Sequence, residues 1–254
     1  MKNAASLINY QPYESHEDFN PSPDSSCFCD SGKTFGQCCG STRAVRPPPF
    51  GLFIFENFLD RAVAADLVDF AKYREGEHLK VIDQKQSTAD QIVKVNDGRR
   101  VAERVDLGSR NEQLHQIVKT AFINMAEHLF SARLQWYESP DLMRYHPGGF
   151  YARHADSENI DSQTRLWKKV IDRDLSLLIY LNDDFEGGLT RFYRFNYYIR
   201  PKAGGAVLFP ADNRYLHAAE IVTKGDRYAI VSWAAIRGVP KMTKHPPQSA
   251  VLLE

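Results

Sequence analysis

Two groups of residues in this 254-residue chain have the types and the spacing to do chemistry. The first begins with His154-x-Asp156. On an extended strand, residues two apart face the same way, so this pair aims an imidazole and a carboxylate at one point. His217, which follows an apolar run at 206–209 and a turn-like stretch at 210–214, is the candidate third ligand. Two imidazoles and one carboxylate on one face of an octahedron suit non-haem Fe(II) with the other face open, whereas zinc more often takes a tetrahedral site. The competing reading is a solvated His154 and a His217 satisfied in the core. Arg227 lies further on, in Gly225-Asp226-Arg227-Tyr228, and Tyr180 sits in the apolar strand Leu178-Ile179-Tyr180-Leu181. A guanidinium deep in a barrel needs an anion. A dicarboxylate supplies one with fork geometry, and the Tyr180 hydroxyl can donate to it. A surface salt bridge for Arg227 and plain packing for Tyr180 are the alternatives.

The second group is Cys27, Cys29, Cys38 and Cys39, which are all the cysteines of the chain. They lie too close together to staple a fold, but four thiolates on a tight loop can surround one zinc ion. Local disulfides or free thiols are the other possibility. The run Cys27-Phe28-Cys29-Asp30-Ser31-Gly32, followed by Cys38-Cys39-Gly40, resembles the SEC-C zinc module. It departs from that pattern at Phe28 and Asp30, which are not ligand positions. The resemblance implies an adaptor for proteins or ribosomes, and hence a translation-related partner.

These residues must be positioned by a folded scaffold, and the composition allows one. Hydrophobic residues make up 43% and charged residues 25%, with 32 basic and 32 acidic side chains. That balance offers no uniform basic field for nucleic acid or an anionic membrane. The longest apolar run, 175–181, is strand-sized and interrupted by Ser176, far short of a membrane span. The polar N-terminus has no apolar signal region, so a cytoplasmic location is expected. Residues 1–26 read as a flexible lead-in, 27–45 as the zinc module, 46–49 as a proline linker, 50–240 as the main domain and 241–254 as a C-terminal tail.

Within the main domain, 50–58 reads as a strand, and Asp60 is placed to cap a helix carrying Val63, Leu67, Phe70 and Ala71. Ser109-Arg110-Asn111-Glu112 has the form of a capping box before a second helix with Leu114, Val118, Phe122 and Met125 on its buried stripe. From 134 onward, short aromatic and β-branched runs alternate with Gly, Pro, Asn and Asp. The clearest are 142–145, 175–181, 189–193, 206–209 and 228–233. The expected fold is mainly β with flanking helices, a double-stranded β-helix or jelly-roll core.

The ordered set His154-x-Asp156, Tyr180-Leu181-Asn182, Gly187-Gly188-Leu189-Thr190, Pro201 to Gly205, His217 and Gly225-Asp226-Arg227-Tyr228 resembles the prolyl 4-hydroxylase family of Fe(II)- and 2-oxoglutarate-dependent dioxygenases. The resemblance covers about 50–236. It implies iron on His154, Asp156 and His217. Arg227 and Tyr180 would hold the distal carboxylate of 2-oxoglutarate, assisted by Tyr145 and Thr190, and O2 would be the co-substrate. Many collagen-type members carry lysine where Arg227 stands, and arginine resembles the oxygen-sensing and bacterial protein-hydroxylating branch. The resemblance further implies a protein or peptide substrate, contacted by Trp233 and by Arg165 and Trp167 on a 157–173 lid. A hydroxylase of a free amino acid or small metabolite, and a non-catalytic jelly-roll binding module, are the alternatives.

Overall fold

A computed structural model describes residues 22–27, 32–38, 47–79, 81–82, 94–95 and 98–253. Two antiparallel sheets form the core. The major sheet runs in the order Phe53–Phe55, Ala206–Pro210, Leu175–Tyr180, Arg227–Ile236, Asp141–Tyr145, Glu103–Val105 and Gly76–His78. Leu134–Glu138 pairs with the far half of Arg227–Ile236, and Ala250–Leu252 pairs with Leu134–Glu138 in turn. The minor sheet runs Tyr197–Ile199, Thr190–Phe192, His217–Ala219, Phe150–His154 and Arg100–Val101. The two faces meet where Phe192 of the minor sheet packs edge-on against Phe209 of the major sheet, with ring centroids 5.0 Å apart. This is the jelly-roll architecture expected from the sequence.

Leu175–Tyr180 shows why the sequence folds this way. All six residues are buried, and the strand is hydrogen-bonded on both edges. A strand flanked by neighbours and covered on both faces needs a continuous apolar run rather than alternation. Ser176 is the exception, and its hydroxyl is used by the site described below. Three of the five expected strands extend, to 141–145, 206–210 and 227–236, and two shorten, to 175–180 and 190–192. The expected strand at 50–58 shortens to Phe53–Phe55, because only those residues reach the partner strand Ala206–Pro210.

The helices cover the outer side of the major sheet. Arg61–Lys72 starts where Asp60 accepts the Ala62 N–H at 2.7 Å. Its buried stripe is Ala64, Leu67, Val68 and Ala71. Phe70 is half-buried and lies beneath the guanidinium of Arg74, 4.9 Å from its ring centroid. The capping box at Ser109–Glu112 does not form. A 3₁₀ turn, Gly108–Arg110, leads directly into Asn111–Thr120, and Asp106 upstream accepts the Gly108 N–H at 3.2 Å. The helix continues through a π-helical stretch, Ala121–Ala126, to Phe130. That wider turn makes Ala126 and Phe130, rather than Met125, the fully buried continuation of the stripe. Phe130 packs edge-on against Phe53 of the sheet at 5.2 Å, and Phe122 lies beside Tyr137 at 6.0 Å.

Two further expectations change. Residues 241–253 are held to the main domain rather than hanging loose. Asp172 accepts from the Met242 and Thr243 N–H groups, Asp174 pairs with Lys241 at 2.9 Å, and Ala250–Leu252 completes the sheet. The 157–173 segment contains a β-hairpin, Glu158–Ile160 with Trp167–Lys169. At the N-terminal end, Ser26 bridges Thr34, and the Cys27 N–H donates to Lys33 at 2.9 Å. Cys27 and Phe35 are buried against the main core. Cys29 and Cys39 lie outside the described residues, as do residues 1–21. Among the described residues, no helix is long and apolar enough to cross a membrane.

Candidate metal and dicarboxylate site

His217 and His154 are direct cross-strand partners in the minor sheet, so backbone register brings two imidazoles side by side. Their ring centroids are 4.3 Å apart. Asp156 lies just beyond the end of Phe150–His154, where the backbone N–H donates to Ala211 O at 3.0 Å. Its Oδ1 is 3.4 Å from His154 Nε2, and its Oδ2 is 3.7 Å from His217 Nε2. One ligand atom from each of the three residues lies within 4.8 Å of the other two. It is the one such metal-sized cluster among the described residues.

The surrounding bonds orient this cluster. His154 Nδ1 lies 2.8 Å from Ala152 O, and His217 Nδ1 lies 3.0 Å from Tyr215 O. A carbonyl only accepts, so both Nδ1 atoms carry the proton and both Nε2 lone pairs are left facing Asp156. The Ser176 hydroxyl donates to Asp156 Oδ2 at 2.7 Å. Burial works against the Asp156 charge, but His217, His154 and the Ser176 hydroxyl together hold its carboxyl well below the usual range. Burial, with help from neighbouring His154, pushes the His217 imidazole down to about 4. A neutral His217 imidazole and an ionised Asp156 carboxylate are protonation states that metal ligation requires. The donor set, its tautomers and its spacing therefore fit a divalent cation, and nitrogen with carboxylate oxygen fits Fe(II).

The same cavity is lined by Arg227, Thr190, Tyr145, Tyr151, Trp233 and the three clustered residues. Arg227 is 2% exposed. Its Nη2 reaches Thr190 Oγ1 at 3.5 Å, and its Nε is buried with no hydrogen-bond partner. Its guanidinium lies 4.8 Å from the Tyr145 ring centroid and 5.5 Å from that of Tyr180. Among the described residues, no carboxylate pairs with it. Gly188 makes room beside it: at φ +57° it adopts a left-handed conformation, and a Cβ there would come within 3.0 Å of Arg227 Cδ. The Tyr180 hydroxyl donates to Thr190 Oγ1 at 2.7 Å. Burial pushes that phenol up to about 12, so it remains an O–H donor at neutral pH. A buried guanidinium lacking an anion, beside a phenol and a threonine, fits the carboxylate of a bound diacid.

The structure thus brings His154, Asp156, His217, Arg227, Thr190, Tyr145 and Trp233 around one space, and Tyr180 joins it through its bond to Thr190. Arg165 and Trp167 are placed elsewhere. Arg165 is exposed at the hairpin turn, at φ +59°. Trp167 is 8% exposed and packs with Ala155 and Leu216 behind the cluster, so its ring supports the site's backbone rather than facing a groove.

Sequence reasoning missed several contributors. Ser176 was visible only as a polar break in an apolar run. Tyr151 stacks on His154, with ring centroids 3.6 Å apart. Arg173 lies 3.6 Å above the Trp233 ring and grips Glu138 with two bonds, of 2.5 and 2.6 Å. No local pattern announces such a pair, because its members are 35 residues apart.

Comparison with known proteins agrees with this geometry. Residues 140–235 match the model of the 2OG-Fe(II) oxygenase superfamily. A provisionally named prolyl 4-hydroxylase of Acanthamoeba polyphaga mimivirus is 31% identical over 127 residues, 46% of this chain and 52% of that protein. Human prolyl 3-hydroxylase 2 is 36% identical over 89 residues, 32% of this chain and 13% of that protein. The matches thus span about half or less of these relatives' length. Among solved structures, a prolyl hydroxylase from Trichoplax adhaerens, in complex with a hypoxia inducible factor oxygen degradation domain peptide fragment, superposes with a TM-score of 0.55. It is 19% identical, and the match covers 73% of this chain and 83% of that one. A Pseudomonas putida prolyl-4-hydroxylase gives 0.53 at 20% identity, covering 74% and 94%. These likenesses establish the shared jelly-roll fold. Over residues 140–235, the chain is thus similar to the 2OG-Fe(II) oxygenase superfamily.

Proposed function

We propose that this protein is an Fe(II)- and 2-oxoglutarate-dependent dioxygenase that hydroxylates prolyl residues of a protein. The observation that carries this reading is the shared cavity: a His-Asp-His cluster at one side and an unpaired, buried Arg227 at the other. When bound there, iron and 2-oxoglutarate would supply activation of O2, one oxygen atom ending in succinate as CO2 is lost and the other in a C–H bond of the substrate.

The protein's own residues bind, orient and exclude water. His154 and His217 would ligate through Nε2 and Asp156 through Oδ1, while Ser176 restrains Oδ2. Arg227, Tyr180 and Thr190 would take the distal carboxylate, with Tyr145 closing that end. Phe209 and Phe192 pack beside His217 and keep the ligand sphere dry on the core side. Tyr151 and Trp233 flank the opening toward solvent, where a side chain of the substrate would enter. No acid–base side chain is needed, since positioning supplies the protein's share of catalysis. The choice of proline and of a protein substrate is supported by the names of the relatives and by the peptide bound in the Trichoplax structure.

The same proposal covers the N-terminal segment: Cys27, Cys29, Cys38 and Cys39 hold zinc, and this module docks a protein partner, of which a translation component in the cytoplasm is one. The packing of Cys27 against the core supports an ordered segment there. Zinc analysis of the full chain before and after Cys27→Ser checks it.

The test of the activity is succinate release by purified protein with Fe(II), 2-oxoglutarate and a cognate protein. His154→Ala and Asp156→Ala are each expected to abolish it. Undiminished turnover in both would reject the assignment.

A further inference from the structure

Arg100 stands at the edge of the minor sheet, on the short strand Arg100–Val101 that pairs with Phe150–His154. Its guanidinium lies 4.5 Å from the centroid of the Tyr151 ring, the ring that stacks on His154. Its Nη2 donates to Met143 Sδ at 3.6 Å, and its Nε is buried with no hydrogen-bond partner. A thioether and an aromatic face are weak company for a half-buried cation. Among the described residues, no carboxylate lies within 4.0 Å of it. The acids of the same groove are already engaged: Arg104 pairs with Glu77 at 2.5 Å and approaches Asp141 at 3.7 Å. Glu158 accepts two bonds from Asn213, at 2.8 and 2.6 Å.

Arg100 also occupies a boundary. It lines the cavity that contains the His-Asp-His cluster and the outer groove that runs from it past Arg153, Val170 and Arg173. A ligand crossing that mouth would pass its guanidinium on the Tyr151 side. The fork has an orphaned N–H and faces a solvent-connected groove, so an incoming carboxylate gains charge-assisted hydrogen bonds there without breaking an existing ion pair.

We propose that Arg100 forms a carboxylate-binding subsite of the substrate groove, taking an aspartyl or glutamyl side chain that flanks the modified residue of a peptide. This inference rests on the reading of the groove as a peptide site. The same chemistry is offered by the second carboxylate of the keto acid, and the experiment separates the two.

The probe is a peptide library with a fixed central proline and randomised flanks, incubated with the full chain, Fe(II) and 2-oxoglutarate. Retained peptides are sequenced under anaerobic conditions, and +16 Da products are read after admitting air. Asp or Glu is expected to exceed Asn or Gln by about tenfold at one flanking position. Arg100→Gln is expected to erase that preference, and Arg100→Lys to keep part of it. The keto-acid affinity of both variants, read from absorbance of the protein–Fe(II) mixture, is expected to match the parent and also reports that they fold. A parent library without acidic enrichment overturns the subsite, and so does a preference that survives in Arg100→Gln. Loss of keto-acid affinity with peptide preference intact assigns the carboxylate to the co-substrate and overturns it as well. Acidic enrichment without any +16 Da product would sink the prolyl hydroxylase reading while upholding the subsite.

Discussion

Replacing Glu138 by glutamine should destabilise the fold and loosen the mouth of the site without touching a ligand. In the parent, Arg173 Nε and Nη2 donate to the two Glu138 carboxylate oxygens at 2.5 and 2.6 Å, with the two side chains 18% and 9% exposed. Burial alone would lower the Arg173 pKa, but Glu138 more than compensates and holds it above its ordinary value. Removing one partner of a buried pair strands the other charge and costs about 3–5 kcal/mol. The residual exposure of Arg173 lets water recover part of that, so the lower end applies, about 3 kcal/mol. With a urea dependence of about 3 kcal/mol per molar for a chain of this size, the midpoint of unfolding should fall by about 1 M. The assay is urea unfolding followed by circular dichroism. Glu138→Gln combined with Arg173→Met removes both charges and should recover much of the loss. A single variant with an unchanged midpoint, or a double variant less stable than the single one, would refute the argument.

Three other expectations are independent of that pair. Tyr180→Phe deletes the hydroxyl but keeps the ring near Arg227, and should weaken 2-oxoglutarate binding by about threefold to tenfold in equilibrium dialysis with Mn(II)-loaded protein; equal affinity would remove Tyr180 from the diacid site. Asp60→Ala removes the acceptor for the Ala62 N–H and should cost about 1 kcal/mol by thermal unfolding, with an unchanged melting temperature counting against the cap. Asp161 accepts from the Thr164 N–H, Lys168 and the Thr164 hydroxyl, which hold its carboxyl below the ordinary range. Its contribution to the hairpin should therefore be complete above the unfolded carboxyl value and vanish as pH falls through the lower folded value. A carboxyl titration by NMR with an ordinary midpoint at Asp161 would contradict this.

What could be read from the chain was what repeats locally or recurs at fixed offsets. The apolar run at 175–181 is a buried central strand, and the H-x-D spacing does place His154 and Asp156 beside each other. What could not be read depends on long-range pairing. The capping box at Ser109–Glu112 has the right residues, yet Asp106 already accepts the Gly108 N–H and a 3₁₀ turn takes the entry. Trp167 reads as a contact residue from its place in the 157–173 segment, but its ring is buried with Ala155 and Leu216. Arg100 lies in a stretch with no periodicity, and only the pairing of its strand with Phe150–His154 carries it to the mouth of the cavity.

The pairing of His217 with His154 also means that this chemistry is encoded in alignment as much as in residue identity. The ladder between the two strands is irregular: His217 faces His154, while Ala219 faces Tyr151. Sliding one strand past the other by a single position would turn its imidazole to the opposite side of the sheet. One amino acid inserted into or deleted from Phe150–His154, with every metal-facing residue retained, would therefore silence the protein as thoroughly as losing a histidine. Chains from which the three ligands can be recited but this offset has drifted should be expected to fold and yet stay inert.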